Sequence, residues 1–184
     1  LIEIGHMNPG RWQRMAEAFH ELGMVADTQA LSGFIYDPNP RTQVERLQKI
    51  IALISIGAGL ALLPSSLSSP QARVMMYAIG LQESRMTYRR QIVNGKPIGP
   101  AKGLWQFERG GGCKGVVEHP ASRYWMARVC TRQGVPFNAT EVWNQLERDD
   151  AFAAVAARLL LFTDPRKLPE IDDAGGAWNL YVRT

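Results

Sequence analysis

The sequence predicts a mainly α chain, on three observations. Apolar residues recur at helical spacing in several segments. Helix-start and helix-stop residues bracket those segments. After residue 40 no strand-rich region is visible, so that part reads as essentially all-α. The length of 184 residues and the 46% apolar composition suit one or two small domains with a real core. They exclude a disordered or collagen-like chain.

The elements follow in order. Residues 1–7 include Gly5-His6-Met7, which resembles a cloning remnant and is set aside from the fold. Residues 8–48 form an N-terminal helical segment. Asn8 is a good N-cap and Pro9 fits the first helical position. Trp12, Met15, Ala16, Phe19 and Leu22 follow at helical spacing, and Gly23 stops the run. Leu31 to Tyr36 is a short extended piece, broken by Asp37-Pro38-Asn39-Pro40. A further element begins near Thr42.

Residues 49–69 read as an apolar helix and a linker. Ile50 to Leu63 is 14 residues without charge, bounded by Lys49 and Pro64. A membrane-spanning helix needs about 17–25 apolar residues, so a buried core helix is favoured over a span. Residues 1–20 lack the apolar stretch of a signal peptide.

Residues 70–184 form the second and larger piece. Ser68-Ser69-Pro70 starts a helix expected to run from Pro70 to Tyr88. Val74, Ala78 and Leu81 share one face, with Met75, Ile79 and Gln82 beside them. Glu83 comes four residues after Ile79. A carboxyl there can rest against apolar wall, and desolvation raises its pKa. A general acid working near neutral pH requires that shift. A polar loop from Gln91 to Lys102 carries Asn94-Gly95 and Pro97, which are turn chemistry.

Gly103-Leu104-Trp105-Gln106-Phe107-Glu108 follows, then Gly110-Gly111-Gly112. Trp105 and Phe107 offer apolar faces to sugar rings or to the core, and Gln106 carries both a donor and an acceptor. Ser122 to Gln133 is a helix stopped by Gly134 and Pro136. Asn138-Ala139-Thr140-Glu141 is a variant capping box for a helix through Trp143 and Leu146. Asp149-Asp150 precede a buried Ala/Leu helix, Ala151 to Phe162, which Asp164-Pro165 ends.

Charge is unevenly distributed. Residues 1–69 hold 5 basic and 6 acidic groups, and residues 70–184 hold 16 and 11. Arg85 to Arg132 has ten basic side chains and only Glu108 and Glu118 against them, a net of +8. Such a run is either a solvated face or a surface for an anionic polymer, nucleic acid or cell-wall glycan. No nucleic-acid motif accompanies it, so nucleic acid is not expected. Cys113 and Cys130 set no disulfide framework and read as two buried thiols, with a single bridge left open. His6, His20 and His119 lie far apart, so neither a metal site nor a cofactor is expected.

Two resemblances add to this reading. Residues 8–16, Glu21-Leu22-Gly23-Met24 and Leu31 to Tyr36 resemble the C-terminal end of a thiamine-precursor-type periplasmic binding domain, within residues 8–48. Such domains sit on membrane sensors before a membrane helix. The ligand-binding lobes have no counterpart here, so the resemblance implies no small-molecule binding.

Ala78-Ile79-Gly80-Leu81-Gln82-Glu83-Ser84, with Gly103-Leu104-Trp105-Gln106 about twenty residues later, resembles the lysozyme-like soluble lytic transglycosylases. The stretch from about Leu60 to Thr184 also resembles lysozyme-like proteins of phages and prophages. This implies a lysozyme-like α-helical domain that cleaves peptidoglycan glycan strands. Glu83 would be the catalytic acid and base. Ser84 would orient it or touch the glycan, and Gln106 would contact the sugar, with Trp105, Gly103 and Glu108 also at the substrate. Those enzymes need no second carboxylate; for a hydrolase Glu108 is the candidate. The implied partners are peptidoglycan strands and other phage structural proteins. The implied location is a virion, or the bacterial cell wall and periplasm, with a cytoplasmic stage before release.

There are departures. The family's later Ala-Tyr-Asn motif is echoed only by Ala177-Trp178-Asn179. In the phage-type proteins the sequence continues beyond the position of Thr184. A non-catalytic glycan-binding or structural component of a phage particle is the alternative expectation.

Overall fold

The computed structural model describes residues 43–184. The expectations for residues 1–42, the remnant, the Asn8-Pro9 helix and the Leu31 to Tyr36 piece, lie outside them. Seven α-helices and one hairpin are described: α1 (Gln43–Ala61), α2 (Pro70–Ser84), β1 (Arg90–Val93), β2 (Lys96–Lys102), α3 (Lys114–Glu118), α4 (Arg123–Gln133), α5 (Ala139–Leu146), α6 (Asp150–Thr163) and α7 (Ala174–Arg183). The protein is mainly α.

Helix α6 is the central element. Its start is capped by Asp149, whose carboxylate accepts from Phe152 N at 2.9 Å. Every residue from Phe152 to Leu159 is buried, so it is apolar nearly all round, as a core helix is. Helix α1 crosses it. Ala52, Ile56 and Leu60 are buried at four-residue spacing and join one core with α2 and α4–α7. The crossing is close because of Gly59: a Cβ there would stand 2.6 Å from both Ala151 O and Ala154 Cβ. The apolar run after Lys49 is therefore a helix packed against the core. Among the described residues no helix is long and apolar enough to cross a membrane.

Helix α2 begins as its caps predict. Ser69 Oγ accepts from Ala72 N at 3.1 Å and Pro70 occupies the first turn. It ends at Ser84, not at Tyr88. Arg85 and Met86 both turn left-handed, with φ of 56° and 53°. Met86 folds back onto the helix at Gly80, where a Cβ would meet its sulfur at 2.1 Å. Met86 is buried there, and the left-handed Arg85 caps the helix end.

The segment read as a polar loop, Gln91 to Lys102, is a β-hairpin, so the expectation of an all-α second piece needs correction. Asn94 and Gly95 have φ of 52° and 74°, the two left-handed residues of a type I′ turn. Val93 pairs with Lys96 and Ile92 with Pro97, with an irregularity before Arg90 and Lys102. The strands were hidden because Ile92, Val93, Pro97 and Ile98 are all exposed. A ribbon with little burial lacks the apolar alternation that marks a strand.

Helices α4, α5 and α6 sit within a residue or so of expectation, whereas α3 and α7 were not foreseen. Gly134 closes α4 with φ of 67°. Asn138 Oδ1 accepts from Glu141 N at 3.0 Å at the start of α5. Asp173 caps α7 through Gly176 N at 2.7 Å. Cys113 and Cys130 are free buried thiols, and burial pushes them up to about 12 and about 11.

Candidate active site

The end of α2, the segment after β2, one face of α6 and the end of α7 enclose a cavity of about 270 Å³. Its wall is mostly apolar: Met76 and Ile79 from α2, Trp105 and Phe107, then Ala157, Leu160 and Leu161 from α6. Glu83, Gln106, Glu108, Tyr181 and Thr184 supply polar groups.

Glu83 is half-buried on the last turn of α2. Burial among these apolar neighbours pushes its carboxyl above the ordinary glutamate value. The phenol of Tyr181 donates to Glu83 Oε1 at 2.6 Å and pulls the other way, more weakly. Burial, together with the nearby carboxylate, raises the Tyr181 phenol well above its ordinary value. It therefore remains a donor across the neutral range. The cavity thus holds a carboxyl whose charged form burial disfavours, beside a phenol that donates to it.

Ser84 lies behind the cavity and is 3% exposed. Its hydroxyl lies 2.6 Å from Leu104 O and 3.3 Å from Gly80 O, tying the turn that carries Glu83 to the next segment. Trp105 lines the cavity, yet its indole is 4% exposed and Nε1 donates to Met76 O at 2.7 Å. It serves as wall and as brace together. Gln106 has φ of 49°, and its Nε2 donates to Gly103 O at 2.8 Å and Tyr88 O at 3.0 Å. Its amide hydrogens hold the loop, while the residue faces the cavity.

Gly103 is not on the cavity wall. Its φ is 74°, and a Cβ would stand 2.9 Å from Leu146 O, so it lets the loop lie against α5. Glu108 is exposed and on the wall beside Gly111 and Gly112. Gly112 lies flat on Phe107, where a Cβ would come within 2.7 Å of the ring. The loop is anchored from outside by Trp143, whose Nε1 donates to Pro100 O at 3.0 Å and Phe107 O at 3.1 Å.

The cavity thus brings Glu83, Trp105, Gln106 and Glu108 together and leaves Ser84 and Gly103 in the supporting layer. Sequence reasoning missed Tyr181 and the α6 wall. The Ala177-Trp178-Asn179 stretch lies on α7, and Trp178 stands with its ring 5.6 Å from that of Tyr181. Among the described residues no group of three His, Cys, Asp or Glu is placed to hold a metal. Comparison of the chain with protein-family models, with curated proteins and with solved structures finds no match.

Proposed function

We propose that this chain is a lysozyme-like glycosidase that cleaves peptidoglycan glycan strands, with Glu83 as general acid and then base. One observation carries the reading: a carboxyl with a raised pKa and a phenol bonded to it, on the wall of an apolar cavity. The paired motifs around Glu83 and Gln106 support the choice of glycan. Protonated Glu83 gives its proton to the glycosidic oxygen between N-acetylmuramic acid and N-acetylglucosamine as the C–O bond breaks. In the transglycosylase route the sugar's own hydroxyl closes an anhydro ring, and the Glu83 carboxylate takes its proton. In the hydrolytic route Glu108, on the same wall, takes a proton from water. The setting is a phage or prophage, in lysis or in a virion that opens the wall locally.

Purified chain incubated with peptidoglycan should release soluble fragments, and Glu83→Gln should abolish release. Anhydro ends on the products mark the transglycosylase, reducing ends the hydrolase. Undiminished release by Glu83→Gln ends the assignment.

A second reading is a non-catalytic lysozyme-fold component that grips glycan within a phage particle. Two observations favour it: Tyr181 occupies one oxygen of Glu83, and Trp105 Nε1 and Gln106 Nε2 bond to the protein's own carbonyls. Binding to peptidoglycan without product release selects this reading.

A further inference from the structure

Helix α7 is weak by composition. It is 10 residues long, and its first turn holds Gly175 and Gly176. Glycine is among the poorest helix formers, and a helix this short does not hold itself in water. Tertiary contacts must hold it. Its buried residues are Ala177 and Leu180. Beyond Leu180 apolar packing runs out: Val182 is 63% exposed and Arg183 is exposed. Tyr181, the residue that meets Glu83, stands in that outer turn.

Two polar contacts fix the turn. Tyr181 Oη donates to Glu83 Oε1 at 2.6 Å, and Arg183 Nε donates to Asp164 Oδ2 at 2.7 Å. Side chains two apart on a helix point about 200° apart, so the contacts grip the turn from opposite sides. Among the described residues the Arg183–Asp164 contact is the one ion pair that α7 makes.

Asp164 is a prepared partner. It directly follows α6, whose Leu160 and Leu161 wall the cavity. Its second oxygen, Oδ1, accepts from Arg166 N at 2.9 Å, which fixes the direction of the carboxylate. Its side chain is only 6% exposed. The bond from Arg183 holds its carboxyl below the ordinary aspartate value, so it stays charged at neutral and alkaline pH.

We infer that Asp164 and Arg183 are positioning residues for the Glu83 site: their ion pair clasps the last turn of α7 and keeps the Tyr181 phenol on the Glu83 carboxyl. The consequence for catalysis rests on the glycan-cleaving reading of the cavity. Neither residue lines the cavity, so both act through Tyr181. With Oε1 taken by the phenol, Oε2 is the oxygen left to exchange a proton with substrate.

The test reads Tyr181 directly. Burial and the Glu83 carboxylate raise its phenol well above the ordinary value. The other titratable groups on the cavity wall are Glu83 and Glu108, and neither can lower it. In Arg183→Met or Asp164→Asn the turn loosens and both causes fade together. Tyr181 should then titrate near the ordinary tyrosine value of about 10. Ultraviolet titration of the full chain measures this, with the Tyr181→Phe variant subtracted to isolate the one phenol. Arg183→Lys should keep the raised value, and so should Val182→Ser on the exposed side of the same turn. Asp164→Asn combined with Arg183→Met should match either single change, because both remove one contact. Far-UV circular dichroism checks that the variants stay helical.

An unmoved Tyr181 titration in either Arg183→Met or Asp164→Asn overturns the inference. So does an equal fall in Val182→Ser, which marks general fraying of the turn. Product release from peptidoglycan is read separately. Arg183→Met added to Tyr181→Phe should leave kcat where Tyr181→Phe alone puts it; a further fall shows a route other than Tyr181 and also overturns the inference. A lowered Tyr181 titration with no product from the unaltered chain supports the clasp while the cleavage reading fails. Product with an unmoved titration does the reverse.

Discussion

Tyr181 Oη donates a 2.6 Å hydrogen bond to Glu83 Oε1 across 98 residues of chain. It joins the last turn of α7 to the last turn of α2, on the wall of the one mostly apolar cavity described above. Donation to the carboxylate favours its charged form, whereas burial disfavours it, and burial is the larger effect.

Tyr181→Phe removes the opposing effect, so the Glu83 pKa should rise further. A general acid must be protonated to act, so the alkaline limb of the kcat/KM profile should move to higher pH. A limb that stays in place, or moves to lower pH, contradicts the role given to Tyr181.

Glu83→Gln should raise stability while it removes activity. The folded-state pKa lies above the unfolded value. The carboxyl's contribution is therefore fully present below the unfolded value and is lost as pH rises through the folded one. Gln carries no charge to desolvate and still accepts from Tyr181. Thermal melts should show the variant ahead at neutral pH, with the gap closing as pH falls below the ordinary glutamate value. A gap that is independent of pH would show that desolvation is not its cause.

Gly59→Val should destabilise by about 1–3 kcal/mol. The added Cβ would stand 2.6 Å from a backbone oxygen and a second Cβ of α6, so the helices must separate. A shift in the urea midpoint at constant slope is the readout. No shift would mean that α1 does not cross α6 at this glycine.

Ser84→Ala should cost about 1–3 kcal/mol, because the buried Leu104 carbonyl loses its 2.6 Å partner. The same urea titration measures this. Since Ser84 is not on the cavity wall, KM should move less than the melting temperature does. A large KM change with unaltered stability would place the hydroxyl at the substrate instead.

The helices of the body were legible because their start signals are local. Ser69, Asn138 and Asp149 each cap a backbone N–H three residues on, so four residues of sequence carry the information. The same is true of the Asn94-Gly95 turn. Its strands were not legible, because their exposed side chains leave no apolar pattern to read. The end of α2 was misjudged for a related reason: Met86 turns back because Gly80 leaves space, which is a packing event and not a propensity.

By itself, the sequence determined a mainly helical chain, a carboxyl at a helix end beside apolar positions, and a concentration of positive charge after it. All three depend on neighbours a few residues apart. Tertiary structure alone decided that Tyr181 holds Glu83 and that α6 walls the cavity. It also decided that Asp150 and Glu147 neutralise Arg89, Arg90 and Lys102. The physical reason is range: a cap or a helical face is set within one or two turns. A hydrogen bond or ion pair between residues 45 to 98 apart exists only once the core has brought their helices together.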